Sequence, residues 1–141
     1  MKIKQLSIFM ENQVGVINSV TKILADRGVN MRAFSVAEGA EFGILRLIVE
    51  NPDDVQKMLQ EEGFKVNTTE VIGLQLPNVA GALSSVMECL AREGVFIQYM
   101  YAFSDGDVAS TVIRPTQIDR CIEILDKCRE ELTAKNPLYR L

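Results

Sequence analysis

The phrase NQVGVINSV at residues 12–20 returns as NVAGALSSV at residues 78–86. The match runs on past the phrase. Asn12, Gly15, Ser19, Val20, Leu24, Ala25, Gly28 and Val29 fall on Asn78, Gly81, Ser85, Val86, Leu90, Ala91, Gly94 and Val95. Self-similarity over this range marks one structural plan used twice. Farther on, Pro52 meets Pro115 at a slightly shorter offset, because the second copy has the shorter hairpin. A chain of 141 residues holds two small units, expected at 1–70 and 71–141. Each would have a thin core that must pack on its twin or on a partner.

The order of elements follows from hydrophobic period. KIKQLSIFME alternates, with Leu6, Ile8 and Met10 on one face, and reads as a strand. NQVG is a turn, and VINSVTKILADR places Val16, Ile17, Val20, Ile23 and Leu24 on one helical stripe. Gly28 suits a helix stop. MRAFSVAE and ILRLIVE are strands flanking the glycine-bearing EGAEFG hairpin. Pro52, Asp53 and Asp54 suit a helix start, Gly63 closes that helix, and FKVNTTEV is a fourth strand. The second copy gives EVIGLQLP, the NVAG turn, the helix ALSSVMECLARE, and strands IQYMYAF and VASTVIR around SDGD. Pro115 is expected to open TQIDRCIEILDKC, with EELTA as a weak last strand and NPLYRL as a short tail. Strand–helix–strand–strand–helix–strand is the ferredoxin-like pattern. The expected class is α+β: two ferredoxin-like βαββαβ units packed together, antiparallel sheets with both helices on one face. NTTEVIGLQ carries one unit into the next without a linker, which keeps the halves close, with approximate two-fold symmetry.

Composition excludes several functions. The chain has no histidine, so Ser-His-Asp and Cys-His machinery is impossible and the commonest metal ligand is missing. Neither a metal nor another cofactor is expected. The net charge of −4 with scattered lysine and arginine gives no footprint for nucleic acid. The apolar run after Met1 meets Glu11 within a few residues and has no cleavage site, so it reads as a strand and not a signal peptide. No apolar stretch is long enough to span a membrane. The expected location is the cytoplasm.

The turn after the first strand of each copy aims at a helix N-terminus. Free N–H groups and the positive end of the helix dipole converge there and suit a carboxylate. Glycine lets a ligand approach the main chain, and asparagine offers both a donor and an acceptor. An amino acid needs that combination. Asn is equally a preferred N-cap and Gly a preferred turn residue, so the spacing alone also fits a turn that binds nothing.

Asn12-Gln13-Val14-Gly15 and Asn78-Val79-Ala80-Gly81 each follow an apolar strand and precede a helix ending in LADRGVN or LAREGVF. With these motifs, nearly the whole chain resembles a tandem pair of ACT domains, small regulatory modules that bind amino acids. Val14 and Ala80 replace the proline common before the glycine in that family. Phe96 stands where the first copy has Asn30, so the two copies need not bind alike. The resemblance implies a free amino acid held between the strand–helix turn of one unit and the second-strand start of a neighbour. The residues implied are Asn12, Gln13, Val14, Gly15, Val16, Asn30 and Met31 in the first copy. In the second they are Asn78, Val79, Ala80, Gly81, Ala82, Phe96 and Ile97. Backbone N–H groups near Gly15 and Gly81 would take the carboxylate, and the Asn12 and Asn78 side chains would fix orientation.

The leading expectation is therefore a non-catalytic, dimeric amino-acid sensor. A second is a regulatory subunit of a biosynthetic enzyme such as acetolactate synthase, whose small subunits LSIFMENQVGVINSV also resembles. A third, an enzyme on this scaffold with acylphosphatase-type chemistry, wants an arginine in the first turn that NQVG lacks. Tyr99, Tyr101 and Phe103 alternate on one strand, but it is the wrong strand for an RNA-binding sheet and basic surroundings are missing. They read as packing surface. Cys89, Cys121 and Cys128 contain no CxxC pair and read as buried reduced thiols. Asp53, Asp54, Glu61 and Glu62 read as solvated charges, and Ser19, Ser84 and Ser85 as back-bonded or solvated hydroxyls.

Overall fold

The computed structural model describes residues 1–141. Its elements run β1 (Lys2–Glu11), α1 (Val16–Asp26), β2 (Ala33–Ala37), β3 (Phe42–Ile48), α2 (Pro52–Glu61), β4 (Lys65–Pro77), α3 (Ala82–Arg92), β5 (Ile97–Asp105), β6 (Val108–Pro115) and α4 (Ile118–Lys135). The chain divides into two compact units. The N-terminal unit is Lys4–Thr69; the C-terminal unit is Met1–Ile3 with Glu70–Leu141. FKVNTTEV and EVIGLQLP join as the single 13-residue strand β4, because no turn residue or proline separates them.

In the N-terminal unit the strand order is β2-β3-β1-β4. Antiparallel pairing sets Leu6 opposite Leu47 and Ile8 opposite Leu45. Phe34 and Val36 of β2 face the same two leucines from the other side. Leu6, Ile8, Leu45 and Leu47 meet Val20 and Leu24 of α1 and Val55 and Leu59 of α2 in one core. Both helices thus cover one sheet face, as the ferredoxin-like pattern requires. Each such buried side chain contributes about 1.5–3 kcal/mol. Ile17, from the predicted helical stripe, is instead exposed; it sits in the first turn of α1. The strand β2 forms the sheet edge, and Phe34 and Val36 on it stay exposed.

The C-terminal unit has strand order β4-β6-β5. Ile72, Leu74 and Leu76 of β4, Val86 and Leu90 of α3, Ile113 of β6, and Leu125 and Leu132 of α4 share its core. On β5, Tyr99 and Tyr101 are half-buried and Phe103 is exposed. The matching helices of the two units end alike. Val29 donates to the Leu24 carbonyl (2.8 Å) and Gly28 to Ala25 (3.0 Å); Val95 donates to Leu90 (3.0 Å) and Gly94 to Ala91 (3.0 Å). These are the paired bonds of a Schellman motif.

The end of the C-terminal unit departs from expectation. EELTA is not a strand but the last part of α4. The stripe Cys121, Leu125, Cys128 continues to fully buried Leu132, so the helical period outweighs the template. Pro137 then prevents further helix. Pro115 does not open α4: it ends β6, paired with Ile97, and the helix starts at Ile118. No fourth strand closes this unit. Gly73 donates to the Met1 carbonyl (2.7 Å), and Gln75 and Arg140 exchange a pair of bonds (both 2.9 Å). The first and last residues of the chain thus cover the β4 edge. NPLYRL is more than a tail, since Tyr139 is buried in the core and its hydroxyl donates to the Ala82 carbonyl at 2.9 Å. No helix is long and apolar enough to cross a membrane.

Candidate functional site

The repeated phrase produces the same backbone twice. Gly15 is the N-cap of α1 with φ 92° and ψ −6°, and Gly81 is the N-cap of α3 with φ 88° and ψ −12°. This left-handed region costs an L-residue with a Cβ about 1–2 kcal/mol, which explains glycine in both copies. Glycine also supplies no capping side chain, and neither helix has a side-chain cap. Ser19 donates to the Gly15 carbonyl through both N–H (2.9 Å) and hydroxyl (3.0 Å). The N–H groups of Ile17 and Asn18 precede the first intrahelical donor, Ser19, and are left for water or a ligand.

Neither asparagine caps its helix. The Asn12 amide donates to the Gly39 carbonyl at 2.7 Å and to Ala40 at 3.3 Å, and its backbone N–H donates to Glu41 at 3.2 Å. The Asn78 amide donates to the Gly106 carbonyl at 3.0 Å, its N–H to Asp107 at 2.8 Å, and its Oδ1 accepts from Ser104. Each asparagine thus ties its turn to the strand hairpin of the same unit. Asn12→Ala is expected to cost about 1 kcal/mol and to speed amide exchange at Asn12. Unchanged exchange there in a deuterium-exchange experiment would contradict the tether.

In the N-terminal unit this tie brings two chain segments around a pocket of about 420 Å³. Asn12, Gln13, Val14 and Val16 line it from the turn, and Glu11, Ile17, Val36 and Glu38 join them. Val14 is fully exposed at its mouth. The pocket therefore presents an uncapped helix N-terminus, two carboxylates and a set of apolar side chains. Reading the turn alone misses Val36 and Glu38, which arrive through the hairpin that Asn12 holds.

Asn30 and Met31 are not part of this pocket. They lie past the other end of α1, where Asn30 shares a separate cavity of about 370 Å³ with Arg27, Arg32, Glu50 and Asn51. In the C-terminal unit, Asn78, Val79, Ala80 and Gly81 are exposed, while Ala82 is buried under the Tyr139 hydroxyl. Phe96 is exposed and Ile97 half-buried past the other end of α3. Within each unit the turn and the second-strand start are thus apart.

Comparison with known proteins gives three findings. The model of the ACT domain pair family matches residues 1–141. The chain is similar to protein BT0572 from Bacteroides thetaiotaomicron, with 50% identity, 92% of this chain and 90% of that chain covered, and a TM-score of 0.88. The fold is also that of the regulatory subunit of aspartate kinase from Thermus thermophilus in its ligand-free form, at 12% identity, 88% and 91% coverage and a TM-score of 0.66. The corresponding subunit from Thermus flavus gives 11% identity, 92% and 94% coverage and a TM-score of 0.65. No curated protein matches the chain.

Proposed function

The chain belongs to the ACT domain pair family, and from that premise we propose that it is a non-catalytic regulatory protein that binds a free amino acid at the β1–α1 turn. The observation that carries this reading is the uncapped α1 N-terminus at the mouth of a pocket with two carboxylates. The N–H groups of Gly15, Ile17 and Asn18 hold the ligand carboxylate, helped by the helix dipole. Glu11 and Glu38 hold its ammonium. Val14, Val16, Ile17 and Val36 surround an apolar side chain. No cysteine, lysine or arginine lines the pocket, which supports binding over catalysis.

Asn30 and Met31 serve a turn of a second copy. The exposed Phe34 and Val36 on edge strand β2 support a homodimer, and in this reading the protein works in the cytoplasm. The second turn, Asn78–Ala82, has the same backbone and is a second candidate seat.

A thermal-shift screen of the common amino acids tests the reading. An apolar amino acid at a hundred times its dissociation constant is expected to add about 2.7 kcal/mol of stability. The matching amine without its carboxylate, and the acid without its amine, are expected to add far less. No shift at millimolar concentration, with no heat in calorimetry, sinks the proposal. A second reading adds a partner enzyme of amino-acid biosynthesis. It is favoured by the fold shared with the Thermus proteins, which are regulatory subunits of aspartate kinase. Affinity capture from the host is expected to recover such an enzyme; elution of the chain alone counts against it.

A further inference from the structure

The cysteines, read from sequence as three inert thiols, divide into two kinds. Cys121 lies wholly inside the core of the C-terminal unit, and burial pushes its thiol up to about 11. Cys89 on α3 and Cys128 on α4 face each other instead. Their sulfurs and a Glu131 carboxylate oxygen all lie within 4.8 Å of one another. Arg92, one turn after Cys89, points its guanidinium into this group. It donates to the Cys89 Sγ at 3.3 Å and to Glu131 at 3.2 Å. Arg92 and Glu131 are about half exposed, whereas Cys89 is 1% exposed and Cys128 9%. The sulfur pair therefore lies one side-chain layer beneath solvent.

Two thiols and a carboxylate could be a metal-ligand set, but Arg92 already fills the place of the cation. It neutralises Glu131, whose carboxyl it holds below the usual range through their hydrogen bond. Arg92 donates to the Cys89 sulfur and thus holds it in place within the close pair. We propose that Cys89 and Cys128 are a redox-modifiable pair that closes to a disulfide across α3 and α4, with Cys89 as the attacking thiol and Arg92 as its positioning residue.

The oxidant is hydrogen peroxide, small enough to pass when the exposed Arg92 side chain swings away. The Cys89 thiolate attacks one peroxide oxygen; the S–O bond forms, the O–O bond breaks, and hydroxide leaves and is protonated to water. Cys128 then attacks the Cys89 sulfenic sulfur. The S–S bond forms, the S–O bond breaks, and the departing hydroxide takes the Cys128 proton as a second water. Two thiols lose two electrons and the peroxide gains them. Burial raises the Cys128 thiol to about 11, which suits a resolving thiol that keeps its proton until attack. The sulfurs, within 4.8 Å of each other, must approach to about 2.05 Å. A thiol reductant reverses the change.

The test exposes the full chain, natively folded, to hydrogen peroxide, blocks remaining thiols with N-ethylmaleimide in denaturant, and reads intact mass and a non-reducing peptide map. The expected result is loss of two hydrogens, one blocked thiol per chain, and a Cys89–Cys128 linked peptide that dithiothreitol releases. Cys121→Ser is expected to give the same linked peptide with no blocked thiol. Cys128→Ala is expected to trap Cys89 sulfenic acid, detected with dimedone. Arg92→Gln is expected to slow closure about tenfold. Three blocked thiols, a linkage through Cys121, or oxidation of Cys128 alone overturns the proposal in the unsubstituted chain, whatever the variants do.

Discussion

Tyr139→Ala is expected to lower the unfolding free energy by about 3–5 kcal/mol. Tyr139 is only 5% exposed and packs into the core with Ile72, Val86 and Leu125. Its removal leaves a ring-sized void, and the Ala82 carbonyl loses a hydroxyl donor at 2.9 Å. It also releases the residue before Arg140, whose two bonds with Gln75 cover the open edge of β4. Tyr139→Phe separates these effects. It keeps the ring and drops the hydroxyl, so about 1 kcal/mol is expected. Urea denaturation followed by circular dichroism measures both. An alanine variant within about 1 kcal/mol of the parent would show that the last residues are not part of the core. Ala82 begins α3 directly after the Gly81 turn. The alanine variant should therefore also speed amide exchange at Ser85, whose N–H donates to the Gly81 carbonyl.

Tyr139 shows where sequence reading reached its limit. Hydrophobic period is local, so β1, α1, β2, β3 and α2 could be read within a residue or two of their ends. Duplication made the second copy legible from the first, including two helix ends built from the same Schellman bonds. The misread parts are those where the copies part company. Pro52 begins α2, but Pro115, at the aligned position, ends β6. The repeat template suggests a weak strand at EELTA, whereas Leu132 continues the helical stripe of α4. Closure of the C-terminal unit by Met1 and Arg140 joins the two ends of the chain, and no local pattern encodes such a contact.

The candidate site divides the same way. The turn and its glycine were legible because positive φ at a helix start leaves a sequence mark. The asparagines were weighed as helix caps or ligand donors, whereas they tether hairpins through long-range bonds to Gly39 and Gly106. Those partners are backbone carbonyls, which have no sequence identity to read. The carboxylate Glu38 reaches the pocket only through that tether. Glu11 ends β1, and its relevance depends on Glu38 lining the same pocket.

Gly15→Ala is expected to abolish the amino-acid-dependent thermal shift, while Gly81→Ala keeps it. A Cβ at either glycine meets no heavy atom within 4 Å. The folding cost of both substitutions is thus torsional, about 1–2 kcal/mol each, and nearly equal because the φ values are 92° and 88°. They differ in what surrounds the turn. Val14, Val16 and Ile17, the neighbours of Gly15, line a pocket that also holds Glu11 and Glu38. A methyl group there enters the space through which a carboxylate must approach the N–H groups of Ile17 and Asn18. The stabilisation of about 2.7 kcal/mol at a hundredfold excess over the dissociation constant should fall close to zero for Gly15→Ala. Calorimetry on both variants, with melts without ligand as the stability control, makes the comparison. A full shift in Gly15→Ala moves the ligand away from the β1–α1 turn. Loss of the shift in Gly81→Ala alone assigns it to the second copy, where Asn78, Val79 and Ala80 stand exposed beside the matching helix start.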